Sequence, residues 1–361
     1  MQQVAYQQFS EPRRRLIHTH IAQALNKIAA PTSQLINDVA YHADLGSDHE
    51  LAASASLMAA ERYLRIFAYA EASEFAQRGL RHCPYLELTT RVRLQAGLLR
   101  ASVKAGVPKD RVVPLQQLIQ QLIQEAAALQ LKDEEAIGLE ALIGLNYDHG
   151  NLSAVQQHSL RAAEQGRTAS PMRTLYMLAH TGSCLAEIGR EIPRAEALLL
   201  EAQSIADRLG LEASDIPFGL GCVRRYQGEI EEARSLLRQG WQMAQRLQDH
   251  WRECTCLMNL VMLELEVGQF ALALDYCSEL IQVSAQMGEG SEAPHAAALD
   301  ALTRYLLQEK NAAESLERSR QVLKRIELTR LEYWLTSRPS RRHGIYNRAI
   351  STRRSPVLRK L

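Results

Sequence analysis

A corner made of one glycine followed about five positions later by alanine or another small apolar residue recurs in this chain at a nearly constant step. Gly150 opens GNLSAV, Gly189 opens GREIPRA, Gly228 opens GEIEEA and Gly268 opens GQFALA, at separations of 39, 39 and 40 residues. Forty residues further, Gln308 opens the degenerate QEKNAA. Upstream, Gly106 stands 44 residues before Gly150, and Phe67, which opens FAYAEA, stands 39 before Gly106. Helices with scattered glycines would not keep such spacing. A fixed period of this length is the signature of a repeat array, which lengthens without thickening. That solution also suits 361 residues, more than one ordinary core covers.

Each period holds two helical patterns. In TLYMLAHTGSCLAEIG, residues Leu175, Leu178, Ala179, Leu185, Ala186 and Ile188 fall at three- and four-residue steps, which marks one buried helix face. The partner RAEALLLEAQSIADRLG repeats the pattern and ends on Gly210, a residue suited to a helix C-terminal cap. A helix that must reverse within a few residues needs a left-handed backbone position, which glycine adopts without steric cost. The alanine that follows suits a close helix crossing. Composition agrees: hydrophobic residues make up 46% but aromatics only 6%, so the apolar content is mostly Ala and Leu, the strongest helix formers. The expected fold is an all-α, right-handed α-solenoid of about seven helix pairs. Its expected divisions are a helical entry segment over 1–46, the repeats over 47–335 and a basic tail over 336–361.

Lys and Arg total 42 against 41 Asp and Glu, for a net charge of +1, which predicts no general attraction to nucleic acid or membrane. The tail concentrates charge, with eight basic residues and no acidic one from Thr336 to Leu361, leaving −7 on the first 335 residues. Cys83, Cys184, Cys222, Cys254, Cys256 and Cys277 lie far apart and mostly within apolar helical runs, unlike a secreted disulfide framework. The N-terminus carries no signal-like apolar segment, and no run of 18 uncharged apolar residues occurs. The expectation is a cytoplasmic protein.

The corners Gly228-Glu229-Ile230-Glu231-Glu232-Ala233 and Gly268-Gln269-Phe270-Ala271-Leu272-Ala273 resemble those of tetratricopeptide repeats. The step of about 40 residues departs from their usual 34 and is similar to the longer repeat of bacterial signal-transduction ATPases and of transcription activators related to the maltose-regulon activator. That resemblance covers about residues 68 to 328. A second one lies upstream. The runs Arg14-Arg15-Leu16-Ile17-His18, Ile21-Ala22-Gln23-Ala24-Leu25, Val39-Ala40-Tyr41-His42-Ala43, Ala59-Ala60-Glu61-Arg62 and Ala68-Tyr69-Ala70-Glu71-Ala72 resemble the segment that joins a STAND or AAA-type ATPase module to its repeats. No G-x-x-x-x-G-K-[ST] phosphate loop occurs, so the sequence reads as such a repeat region without its ATPase, whether a fragment or a stand-alone descendant. The resemblance implies a protein–protein interaction scaffold, the regulatory or sensor arm of a signalling ATPase or transcription regulator. Its partner would be a protein or peptide, including a separate or missing ATPase domain.

No residue pattern calls for catalysis or a cofactor. Cys254 and Cys256 are two apart and point to different sides of a helix, as do His18 and His20, so neither pair has metal-ligand spacing. Asp133, Glu134 and Glu135 stand at an expected helix start, where negative charge complements the dipole. The tetratricopeptide register does nominate a peptide-binding groove. Positions about 13, 10, 6 and 3 before each corner line it in that family, which implies Tyr147, Tyr176, Phe218, Arg225, Met258, His295 and Tyr305 here. Rigid rings and an occasional Arg suit peptide recognition, although the same rings would equally serve as core filling between long helices. The alternative class is a nucleic-acid-associated regulator acting through the basic tail.

Overall fold

The computed structural model describes residues 9–30, 33–286 and 292–325, and among these the chain is all-α, with sixteen α-helices and two 3-10 turns. The expected basic tail lies outside the described residues. The chain forms two compact units, one reaching to Leu145 and including Thr168–Ser170, the other beginning at Asn146 and lacking that short segment.

Unit 1 contains α1 (Glu11–Ile28), α2 (Leu35–Gly46), α3 (His49–Arg65), α4 (Tyr69–His82), a 3-10 turn (Cys83–Tyr85), α5 (Leu88–Lys104), α6 (Lys109–Ala128) and most of α7 (Lys132–Asp148). Unit 2 contains α8 (Leu152–Gln165), α9 (Pro171–Glu187), α10 (Ile192–Leu209), α11 (Asp215–Gln227), α12 (Ile230–Leu247), α13 (His250–Val267), α14 (Phe270–Gln286), α15 (Glu292–Leu306) and α16 (Ala312–Arg325). Within each unit consecutive helices pack together. In addition, the first helix of one pair touches the first helix of the next: α3 meets α5, α9 meets α11, α11 meets α13 and α13 meets α15. Contacts from each helix to the next and to the next but one are what a helix-pair solenoid requires, because a single pair cannot bury its own apolar face.

Every corner read from the sequence has left-handed backbone. Gly106, Gly150, Gly189, Gly228 and Gly268 have φ of 91°, 69°, 67°, 85° and 79°. The two degenerate corners adopt the same conformation without glycine, Phe67 at 60° and Gln308 at 63°. The geometry therefore belongs to the repeat, and glycine only makes it less strained. Gly210 caps α10 at φ 64°, with its N–H on the Ala206 carbonyl. The small residues after the corners, Ala72, Ala195, Ala233 and Ala273, are fully buried at helix crossings.

Glycine also sets how closely first helices approach. On α11, a Cβ added to Gly219 would lie 2.8 Å from both Leu199 methyls and 3.0 Å from the Ser183 Cα of α9. Side chains reinforce the corners too: a Cβ on Gly189 would meet the Tyr226 hydroxyl oxygen at 2.5 Å.

The acidic start of α7 proves more engaged than a dipole role alone requires. Asp133 accepts from the Ser170 N–H at 2.8 Å and from its hydroxyl at 2.7 Å, fastening Thr168–Ser170 to unit 1. Glu135 is buried and accepts from Lys132 at 3.1 Å. All six cysteines are buried. Burial pushes the Cys83 thiol up to about 11 and the Cys277 thiol up to about 12, so both are protonated at neutral pH.

Candidate functional site

Three first helices of unit 2, α9, α11 and α13, bring together a row of polar side chains whose partners lie about one period away. Arg225 on α11 donates from Nε and Nη2 to the Glu266 carboxylate on α13, 41 residues on. Its Nη1 donates to Asn259 Oδ1 at 3.0 Å. Asn259 is itself oriented by donating from Nδ2 to the Thr255 carbonyl at 3.0 Å, and the Cys222 thiol donates to its Oδ1 at 3.8 Å. In the other direction along the same helices, Arg252 of α13 donates from Nη2 to Asp215 of α11, 37 residues earlier. The Ser183 hydroxyl of α9 donates to the same carboxylate at 2.9 Å.

These charges are deeply placed. The side chains of Arg225 and Arg252 are each 3% exposed, and that of Glu266 is 10% exposed. Burying an ion is costly unless its partner and hydrogen bonds are in place, so these residues fix the register between neighbouring first helices. The Arg252 guanidinium also lies over the Phe218 ring at 4.3 Å and the Trp251 ring at 4.9 Å from their centroids. Burial presses that guanidinium toward its neutral form, and Asp215 and Asp249 more than offset the effect. A third pair ties a second helix to a first: Arg234 of α12 donates from Nε to the buried Glu264 of α13 at 2.6 Å, and from Nη2 at 2.9 Å.

The residues nominated by the groove register separate into two sets. Phe218, Arg225, His295 and Tyr147 are buried. For Phe218 and Arg225 the physical reason is plain: each first helix of unit 2 is packed on its neighbour, and these side chains fill or pair across that crossing. Tyr176 on α9 is 39% exposed, and Met258 on α13 and Tyr305 on α15 are half-buried. His180, one turn beyond Tyr176 on α9, and Met262, one turn beyond Met258 on α13, are also half-buried.

Asp215, Arg252, Asn259 and Glu266 were not nominated by the register. Their signal was nevertheless present, since in a solenoid with a step near 40, residues about 40 apart are lateral neighbours. Opposite charges at that separation identify pairing candidates. Among the described residues no three His, Cys, Asp or Glu side chains converge as a metal site requires, and no helix is long and apolar enough to cross a membrane.

The sequence matches no protein-family profile and no curated protein. Among solved structures, a Signal Transduction ATPase with Numerous Domains (STAND) protein with a tetratricopeptide repeat sensor, from Pyrococcus horikoshii, is similar over 94% of this chain at 12% identity and a TM-score of 0.45. The chain spans 55% of that protein's length.

Proposed function

We propose that this chain is a protein-interaction scaffold that uses the first-helix face of unit 2 to hold a segment of a partner protein. The observation that supports the reading is the buried row of paired charges. It holds α9, α11 and α13 in fixed register while Tyr176 and Met258 on two of those helices, and Tyr305 on the adjoining α15, stay accessible. A face fixed before binding loses little entropy when a partner docks, and accessible tyrosine and methionine are side chains that supply contact area on such faces. In the finer form of this reading the scaffold is the regulatory or sensor arm of a signalling ATPase or transcription regulator, and the partner is its nucleotide-binding module.

The test is affinity capture with the full chain against a Tyr176→Ala, Met258→Ala, Tyr305→Ala variant, after circular dichroism shows both to be helical. A control variant carries Leu200→Ala, Leu247→Ala and Ile281→Ala, exposed positions on second helices. Partners lost from the first variant and kept by the second support the reading; partners kept equally by both place binding elsewhere. The nucleic-acid alternative rests on the composition of the tail alone. Removal of residues 336–361 would abolish retention on DNA at physiological salt if that alternative holds.

A further inference from the structure

Unit 1 contains a chain of three side chains that has a single proton arrangement at neutral pH. His49, at the start of α3, and His82, at the end of α4, meet with their Nδ1 atoms 2.9 Å apart. His82 Nε2 lies 3.1 Å from Asp44 Oδ1 on α2. The Tyr85 ring stacks on His49 with centroids 4.2 Å apart, and His82 is buried. An ionised carboxylate only accepts, so neutral His82 carries its proton on Nε2 and its Nδ1 is a lone pair. His49 must then donate from Nδ1. The result is a continuous link from α2 through α4 to α3.

One added proton fits this arrangement and a second does not. Singly protonated, His82 faces Asp44 as an imidazolium and donates from Nδ1, while His49 moves its own proton to Nε2 and accepts. Doubly protonated, both Nδ1 atoms carry N–H groups and positive charge at a separation that was a hydrogen bond. We propose that Asp44, His82 and His49 form an acid-released latch, which joins α2, α3 and α4 at neutral pH and opens when both imidazoles are protonated.

The surrounding charges do not rescue the doubly protonated state. Arg78 and Arg81 of α4 approach the Asp44 carboxylate at 3.8 and 4.0 Å, so that carboxylate is already shared with two guanidinium groups. Asp48, just before His49, accepts from the Leu51 N–H as the cap of α3. Arg91 of α5, which acts on the Cys83 thiol, pairs with Glu125 at 2.8 Å. Burial lowers the proton affinity of His82 most, with His49 and Arg81 acting in the same direction and Asp44 against them. The released state therefore binds more protons than the latched one. Latch stability is complete above the ordinary histidine value of about 6.5 and is lost as pH falls below it.

Hydrogen exchange measured by mass spectrometry on the full chain, at about pH 7.5 and about pH 5.5 and corrected for intrinsic rates, reads this directly. The expected result is a loss of protection of about tenfold or more in peptides from α2, α3 and α4, while α10 and α12 change by less than about twofold. Retained protection in α2 to α4 at the lower pH overturns the proposal. So does an unchanged pH response of α3 and α4 in the His49→Gln, His82→Gln double variant, where the response of those two helices should be flat while the part of α2 that meets His18 through His42 keeps its own. If that variant does not fold, histidine NMR titration of the native chain decides. The His82 imidazole should titrate below the ordinary histidine value, because burial opposes its charge, and titration of His82 at or above that value overturns the latch. A loss of protection on adding EDTA at neutral pH would show that the pair grips a metal ion instead, and also overturns it.

Discussion

In unit 2 two deeply placed polar contacts between neighbouring first helices join carboxylates to guanidinium groups, Asp215 to Arg252 and Arg225 to Glu266. In unit 1, beside carboxylate–guanidinium pairs such as Arg91–Glu125, two contacts join histidine to histidine, His49 to His82 and, between α1 and α2, His18 to His42 at 2.7 Å. Both kinds of contact fix which helix faces meet. They differ in what can undo them. A carboxylate–guanidinium pair keeps its charges across the whole range from mildly acidic to alkaline pH, whereas an imidazole pair changes state close to neutrality. The same helical architecture thus carries one insensitive and one sensitive set of polar joints.

The strongest way to break this comparison is to remove one carboxylate from a buried ion pair. Glu266→Ala removes the carboxylate that Arg225 pairs with inside unit 2, and urea denaturation should show a loss of about 3–5 kcal/mol. Arg225→Leu combined with Glu266→Leu should recover much of that loss, because the burial cost of both charges disappears together. Hydrogen exchange in α2 to α4 should not change in either variant; a change there would deny that the two units are separately tied.

A smaller effect is expected where unit 2 depends on close approach instead of charge. Gly219→Ala should cost about 1–3 kcal/mol, since its methyl group would press on Leu199 and on the Ser183 backbone. The pH comparison sharpens the contrast from the other side. Burial and then His42 lower the proton affinity of His18, so protection of α1 should also fall as the pH drops below about 6.5, and His18→Gln should remove that part of the response. The smallest expected effect is a gain. Gln308→Gly relieves a left-handed side-chain-bearing corner, and thermal denaturation should show up to about 1 kcal/mol of added stability, less what glycine's extra unfolded freedom removes.

The corners were legible because they combine a residue preference with a period. Even Phe67 and Gln308, which lack the residue, were located by the spacing, and their positive φ shows that spacing carried the information. The helix pairs followed from the same period. The binding face was legible only in part. Counting back from a corner placed Phe218 and Arg225 in a groove by analogy with tetratricopeptide repeats, but first helices that touch one another turn those positions into the crossing itself. Asp215, Arg252, Asn259 and Glu266 were overlooked because each was considered on its own helix, and their meaning appears only when residues one period apart are read as neighbours. The histidine contacts had no such signal. His49 and His82 are 33 residues apart and His18 and His42 are 24 apart, separations that match no period of the array.

The left-handed corners that persist without glycine bear on how a chain like this can change over generations. Because every corner has the same backbone and the ion pairs between first helices, Asp215–Arg252 and Arg225–Glu266, span about one step, a duplication or deletion of one whole step leaves the remaining pairs of that kind aligned. A change of only a few residues shifts arginines away from their carboxylates. The unit of inheritance that this architecture tolerates is therefore the complete helix pair, and length differences among its descendants should come in multiples of about 40 residues.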